Sequence, residues 1–238
     1  MRSNSYTLIF TAAVTIVLGL LLSLSSTALK QRQDLNIEND IKKNILQSLG
    51  FSASKEKPWN TETVQTLFAE NIIGIVVDEK GKTVKGKQPQ DLNPDTDPNL
   101  YPVFIKKING QVEGYAIPIS GKGLWSTIYG YFAFEPDGKT VKGLTFYKHG
   151  ETPGLGGELE KQWFRDNFIG KRFIDEKNKL VSIQIVKGKV DNNSENAFHQ
   201  VDGISGATMT AKGINIFLLK NLQNYEGYFS EVRAGGGI

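Results

Sequence analysis

The sequence contains no cysteine, and its 238 residues include only two histidines, His149 and His199. The lack of cysteine excludes disulfide bonds, thiolate metal sites, iron–sulfur clusters held by cysteine, and cysteine nucleophiles. Two histidines are too few for us to expect a zinc site built from imidazole ligands. We therefore expect no iron–sulfur cluster and no zinc site in this chain.

The sequence also lacks a strong charge of either sign. It carries 28 basic and 25 acidic residues, which gives a net charge of +3. Nucleic-acid binding usually needs a clustered basic face, and the sequence has no such cluster, so we expect no nucleic-acid partner. A hydrophobic content of 39% is ordinary for a globular protein and allows a sizeable core in one or two domains.

One long stretch lacks charge altogether, from Tyr6 to Leu29. A helix of that length crosses a hydrocarbon layer of about 30 Å, so the stretch predicts a transmembrane anchor at residues 1–29. The alternative is a cleaved signal peptide, because Ser26 and Ala28 have the small-x-small form of a cleavage site. The apolar region of a signal peptide is shorter, about 7–15 residues, which favours the anchor.

The charges that flank the anchor do not set its orientation. Arg2 lies on one side, and Lys30 and Arg32 lie on the other. The positive-inside rule gives almost no preference for such a distribution.

Beyond the anchor, the apolar spacing predicts helices at residues 30–49, 61–70, 158–168 and 208–224, the first ended by Gly50. Strands are predicted at residues 72–77, 101–108, 111–119, 128–134, 141–147 and 182–186. Asn109-Gly110 has the composition of a type I′ turn, and Pro136-Asp137-Gly138 is a second turn signal. Since hairpins dominate, we predict an α+β fold, with a twisted antiparallel sheet and flanking helices after the anchor.

Two features bear on the division of the chain. The six residues Gly-Lys-Thr-Val-Lys-Gly occur at 81–86 and again at 138–143, as two similar hairpin turns or as traces of a duplicated β unit. Residues 88–102 contain four prolines and three aspartates and predict a surface loop. We expect an anchor at 1–29, a membrane-proximal helix and N-terminal subdomain at 30–100, and a cofactor-binding domain at 101–230.

The segment from Asp202 to Thr210 combines glycines and small residues with the start of a predicted amphipathic helix. Free backbone N–H groups at a helix start attract phosphate, and small side chains allow close approach. Ser205 or Thr208 could instead be an ordinary N-cap residue. Composition alone leaves both interpretations open.

The same segment resembles the flavinylation motif of the covalent FMN-binding domain family, in which the last threonine is esterified to FMN phosphate. The resemblance makes Thr210 the FMN acceptor. It implies maturation by a separate Mg²⁺-dependent flavin transferase that takes FMN from FAD. The matching motif residues are Asp202, Gly203, Ser205, Gly206, Ala207, Thr208 and Thr210.

Two further segments extend the resemblance. Residues 149–158 resemble the Glu-Thr-Pro-Gly-Leu-Gly loop that borders the isoalloxazine in this family. Residues 121–126 resemble a segment typical of the C subunit of Na⁺-translocating NADH:quinone oxidoreductases. The implied flavin contacts are Trp125, Glu151, Thr152, Gly154, Leu155 and Gly156.

The resemblance implies a single-pass protein of the bacterial inner membrane, with its soluble domain in the periplasm. It would relay electrons in a complex that links NADH oxidation to ubiquinone reduction and Na⁺ export. Other subunits, the transferase and membrane lipid are the implied partners. The alternatives are the G subunit of the Rnf-type electron transport complex and a flavin-free, membrane-tethered binding module.

Helix geometry separates the two threonines of the motif. Thr208 is placed to cap the predicted helix. Thr210 lies two residues on, about 200° around the helix, which predicts a hydroxyl on another face and free for esterification.

Overall fold

The computed structural model describes residues 3–54 and 58–237. By contacts the chain divides into two units, Met1–Ile41 and Lys42–Ile238. Helix α1, Asn4–Ser48, runs from the first unit into the second, so the predicted anchor and membrane-proximal helix form one continuous helix. Its apolar N-terminal part is exposed and is long and apolar enough to cross a membrane.

The last turns of α1 belong to the core of the second unit. Ile45, Leu46 and Leu49 are fully buried, whereas the large apolar residues of the helix from Leu8 to Ile37 are exposed. Gly50 follows with a φ of 85°, the left-handed conformation that ends many helices. The predicted helix end at Gly50 is confirmed.

Five antiparallel strands form the main sheet in the order of the chain. The strands are β1 Ile72–Asp78, β2 Leu100–Ile108, β3 Gln111–Lys122, β4 Thr127–Phe134 and β5 Val141–Lys148. Asn109 and Gly110 have φ angles of 52° and 82°, as a type I′ turn requires. This sheet and its helices confirm the predicted α+β class. The expected boundary at residue 100 lies at the start of β2, a strand paired with β1.

The helices are α2 Thr61–Asn71, α3 Gln162–Arg165, α4 Thr208–Asn224 and α5 Glu226–Arg233. A short parallel pair joins β6 Gln184–Ile185 to β7 Gln200–Val201. The helix predicted at 158–168 is wrong in form, because α3 lies between two short 3₁₀ turns there. Trp163 at its centre is exposed, while Leu159 and Phe164 are buried.

Helix α4 packs on β3 with the face that its apolar spacing predicts. Ile214, Phe217, Leu218 and Leu222 are buried. Two glycines bring the elements close together: a Cβ on Gly121 would overlap the Cβ of Phe217, and one on Gly213 would lie 2.5 Å from the Lys122 carbonyl oxygen. This packing holds the first turn of α4 beside the end of β3.

The two copies of the repeated hexapeptide both begin at a turn that packs against α5, and the second copy continues into β5. Gly81 and Gly138 both have positive φ angles. A Cβ on Gly81 would overlap the backbone of α5 at Tyr228, and one on Gly138 would lie 3.2 Å from the Phe229 carbonyl oxygen. The first glycine of each copy therefore lies in a turn that packs against the same short helix.

Candidate functional site

The first turn of α4 begins at an alanine. Ala207 is the N-cap residue, and among the described residues no side chain makes a capping hydrogen bond to this helix. The expectation that Thr208 or Ser205 caps the helix is wrong, since Thr208 is already inside it and both side chains are exposed. The first N–H groups of α4, at the positive end of its dipole, therefore lack a side-chain acceptor and suit an anion.

Thr210 lies two residues after Thr208, on another face of the helix, and is only 2% exposed. Its Oγ1 donates a hydrogen bond of 2.6 Å to Oε2 of Glu151, which is 59 residues away in the sequence. The expectation that the Thr210 hydroxyl is free is wrong. It is held by a single buried carboxylate.

Glu151 is itself only 4% exposed. Its Oε1 accepts hydrogen bonds from the backbone N–H groups of Trp125 at 2.9 Å and Ser126 at 3.4 Å. Burial raises the pKa of the Glu151 carboxyl, but the bonds from Thr210 and the backbone amides outweigh it and hold the pKa below its ordinary value. The carboxylate is therefore ionised at neutral pH.

Two glycines leave the space that this hydrogen-bonded pair occupies. A Cβ on Gly156 would lie 2.6 Å from Oγ1 of Thr210 and 3.0 Å from Oε2 of Glu151. A Cβ on Gly123 would lie 2.6 Å from Oε1 of Glu151. Any larger residue at either position would displace the carboxylate or the hydroxyl.

Exposed apolar side chains lie on the chain segments that form the Thr210–Glu151 pair and its backbone donors. Trp125 is 69% exposed and follows β3, while Leu155 and Met209 are exposed on the segments that carry Glu151 and Thr210. Leu155 reaches across to the motif, because a Cβ on Gly206 would lie 2.7 Å from its Cδ2. We call these residues, with the exposed Leu124, the apolar rim; such surface suits a planar aromatic ligand.

The expected contacts of the flavin loop are divided between surface and interior. Thr152, Gly154 and Leu155 are exposed, whereas Glu151 and Gly156 are buried. Gly154 has a φ of 75°, a conformation that favours glycine. The loop therefore presents its tip to solvent and its two ends to Thr210.

A cleft of about 540 Å³ lies beside the motif, on the side of Thr208. Its lining includes Ser205, Gly206 and Thr208, together with three lysines, Lys187, Lys189 and Lys212. The two threonines of the motif thus differ: Thr208 is exposed beside cations, and Thr210 is buried beside an anion.

Asp202 has a structural role within the motif. Its carboxylate accepts from Lys189 Nζ at 2.7 Å and from the Val190 N–H at 2.8 Å. The bond from Lys189, aided by the Val190 amide, lowers the Asp202 pKa below its ordinary value. The neighbouring Gly203 N–H donates to the Gly188 carbonyl at 2.8 Å. Both residues join the loop before α4 to the segment after β6.

Sequence reasoning missed the residues that support Glu151. The Ser126 hydroxyl accepts from the Gly150 N–H at 2.5 Å, and Nδ1 of His149 accepts from the Glu151 N–H at 3.2 Å. Ser126 and Gly123 belong to the segment 121–126 that resembles the family, but nothing in the sequence predicts that they contact residues near 150. Their contacts depend on strand register, which spacing along the chain does not specify.

Known proteins are similar to this chain in sequence and in fold. The FMN-binding domain model matches residues 123–222, a range that contains both Glu151 and Thr210. The chain is 32% identical over 98% of its length to the C subunit of the Na(+)-translocating NADH-quinone reductase of Pseudomonas aeruginosa, with 98% of that protein covered. It belongs to this family of C subunits.

Other relatives agree with this assignment. The C subunit of the same reductase from Vibrio alginolyticus is 34% identical, over 84% of this chain and 83% of that protein. The crystal structure of the C subunit from Parabacteroides distasonis superposes with a TM-score of 0.73 at 32% identity, covering 85% of this chain and 97% of that one. The predicted family, fold class and FMN cofactor are confirmed. As one component of an assembly, the chain has other subunits as partners, and its apolar helix indicates a single-pass inner-membrane protein.

The residues at the site fit FMN. The start of α4 offers N–H groups without a side-chain acceptor, which suit a phosphate group. The apolar rim offers exposed aromatic and aliphatic surface for a ring system, and the exposed Gly154 keeps its backbone accessible. Both halves of the cofactor thus have matching surfaces around one hydroxyl group.

Proposed function

We propose that this chain carries FMN as a phosphoester on Thr210 and relays electrons within a Na⁺-translocating NADH:quinone oxidoreductase. The observation that carries the proposal is the Thr210 hydroxyl, hydrogen-bonded to a buried carboxylate beside an uncapped helix start. Bound FMN supplies the redox chemistry, accepting electrons from one partner and passing them to another.

The chain's own residues bind and tune the cofactor. Trp125 and Leu155 of the apolar rim would contact the ring system, with Thr152 and Gly154 at its polar edge. Ser205, Gly206, Ala207 and Thr208 would surround the phosphate at the helix start, and Asp202 would hold their loop in place through Lys189. A covalent bond through phosphate prevents loss of the cofactor while leaving the ring under the control of this pocket.

The proposal is tested by producing the full chain with and without a flavin transferase. After denaturation and removal of small molecules, the visible flavin absorption should remain with the protein only from cells that contain the transferase. Protein that keeps no flavin under either condition would contradict covalent attachment. It would favour either a non-covalent site or the flavin-free alternative.

We propose that the anchor is retained and that the soluble domain faces the periplasm, where an external protease reaches it. Native protein should keep the segment before Leu29, and protease added to spheroplasts should remove most of the soluble domain. A mature N-terminus at Leu29 would establish a signal peptide instead. Protection of the domain in intact spheroplasts would contradict the periplasmic placement.

Trp125→Ala should change the flavin's environment without removing the flavin. The midpoint potential shifts by the difference in contact energy between oxidised and reduced flavin, and a difference on the order of 1 kcal/mol corresponds to roughly 20 mV for a two-electron couple. The absorption spectrum and midpoint potential of the purified protein measure the effect. Trp163→Ala is the matched control, since Trp163 is likewise an exposed tryptophan but lies on α3. Equal spectra and potentials for wild type and Trp125→Ala would place Trp125 outside the flavin pocket.

A further inference from the structure

We infer that Glu151 is the base that removes the proton from the Thr210 hydroxyl during flavinylation. This inference rests on the proposed attachment of FMN to Thr210 and extends it. It assigns part of the catalysis to the substrate chain itself, in addition to the transferase.

The carboxylate of Glu151 lies within hydrogen-bond distance of the Thr210 hydroxyl group, which is the group that reacts. Oε2 of Glu151 lies 2.6 Å from Oγ1 of Thr210 and accepts its proton in a hydrogen bond. A general base must lie about 2.6–3.2 Å from the atom whose proton it takes. In phosphoryl transfer more widely, a carboxylate accepts the proton of the attacking hydroxyl group, as the catalytic aspartate of protein kinases does.

The rest of the pocket keeps Glu151 ionised and oriented. Its second oxygen, Oε1, is held by the backbone N–H groups of Trp125 and Ser126, which leaves Oε2 for Thr210. Among the described residues, no lysine or arginine forms a salt bridge with this carboxylate. Because only hydrogen bonds hold this carboxylate, Glu151 can take up a proton without breaking an ion pair.

The reaction balances without an oxidant or a reductant. Oγ1 of Thr210 attacks the FMN phosphorus of FAD, and its proton passes to Oε2 of Glu151. The new O–P bond replaces the bond between that phosphorus and the bridging oxygen of the diphosphate. AMP leaves with the electron pair of the broken bond, and the proton on Glu151 then passes to solvent.

The same contact explains selection between the two threonines. Thr208 is the exposed one and lines the lysine-bearing cleft, so access alone would favour it. Only Thr210 donates its hydroxyl proton to Glu151. Activation by the carboxylate therefore selects the less accessible hydroxyl group.

Burial of Thr210 has a consequence for the loop above it. Gly156 packs so closely on the hydroxyl group that a Cβ there would lie 2.6 Å from Oγ1, so we expect residues 152–157 to move away before FAD reaches the hydroxyl. After esterification, the former hydrogen bond would join a carboxylate to a phosphodiester, and two anions repel. We expect faster amide hydrogen exchange in residues 152–157 of the flavinylated chain than in the unmodified chain.

The test measures the rate of flavin attachment to the full chain in detergent, with purified transferase, FAD and Mg²⁺, by intact mass. General bases contribute about 10²–10⁴-fold, so Glu151→Gln should slow attachment by about 100-fold or more. Glu151→Asp keeps the carboxylate and should retain more of the rate than Glu151→Gln. Glu158→Gln, on the same loop, is the matched control and should react like wild type. Formate should partly restore the rate of Glu151→Ala.

Attachment to Glu151→Gln at the wild-type rate would overturn the inference while leaving Thr210 as the acceptor. A loss of rate that neither Asp nor formate restores would also overturn it, because Glu151 would then act only on the fold. Thermal unfolding of each variant identifies such a structural loss. Absence of the adduct from the wild-type chain would instead refute the proposed attachment itself.

Discussion

Thr210→Ala should abolish covalent flavin completely, because it removes the only atom through which we propose the phosphoester forms. The fold should change little. The substitution removes one hydrogen bond, and Glu151 keeps the backbone N–H groups of Trp125 and Ser126 as donors. A cost of about 1.5–3 kcal/mol in the free energy of unfolding is expected, because the lost bond goes to a charged, buried acceptor. Flavin fluorescence of the denatured protein band measures the loss.

The matched variant is Thr208→Ala, in the same helical turn. Thr208 is exposed and contributes no capping bond, so its loss should leave stability near wild type and should not abolish covalent flavin, although it can slow attachment at the phosphate site. Thr210→Ser keeps the hydroxyl group and should retain part of the flavin. Flavin retained by Thr210→Ala and lost from Thr208→Ala would assign the attachment to the cleft side of the helix instead.

Gly121→Val should destabilise the soluble unit and reduce flavin attachment together. A Cβ at Gly121 would overlap the Cβ of Phe217, which is one of the buried residues by which α4 packs on β3. Phe217 cannot yield by changing its rotamer, because the overlap is with the first carbon of its side chain. The helix itself has to shift, and Thr210 shifts with it.

We expect a loss of about 3 kcal/mol in the free energy of unfolding, at the upper end of the usual cost of overpacking. Denaturant titration of the flavin-free chain measures it, and intact mass after reaction with the transferase measures the loss of attachment. Ser120→Ala is the control, since Ser120 is exposed on the same strand and bonds Asn221 only through its backbone. A Gly121→Val chain with wild-type stability would contradict the close packing of α4 on β3.

Local signals in the sequence predicted much of the fold correctly. The hairpin at Asn109-Gly110 has a turn whose φ angles few other residue pairs adopt readily, so its position followed from composition. Helix α4 was predicted with its full length and inner face because Ile214, Phe217, Leu218 and Leu222 keep helical spacing. Both are decided by residues close together in the chain.

Features decided by distant contacts were missed. The stretch around Trp163 has helical spacing but breaks into α3 and two 3₁₀ turns as it packs beneath the sheet. Helix α5 was not predicted, although its buried Tyr228 and Phe229 lie between the two repeated turns. The capping role expected of Thr208 failed because Thr208 is the first residue inside the helix and the N-cap position falls on Ala207.

The candidate site shows the same division. Family motifs indicated both Glu151 and Thr210, but spacing could not show that they meet across 59 residues in a buried hydrogen bond. The pairing depends on β3, whose end supplies the amides of Trp125 and Ser126, and on the packing of α4 against that strand. The identities of the residues were thus predictable, whereas their relation required the fold.

The most direct test of the central claim is peptide mapping by tandem mass spectrometry of wild-type chain produced with the flavin transferase. The account predicts one modified tryptic peptide, with FMN joined through its phosphate to Thr210 and with Thr208 unmodified. Fragment ions that place the flavin on Thr208 would contradict it. A chain that carries no flavin, although the transferase in the same cells is active, would also contradict it.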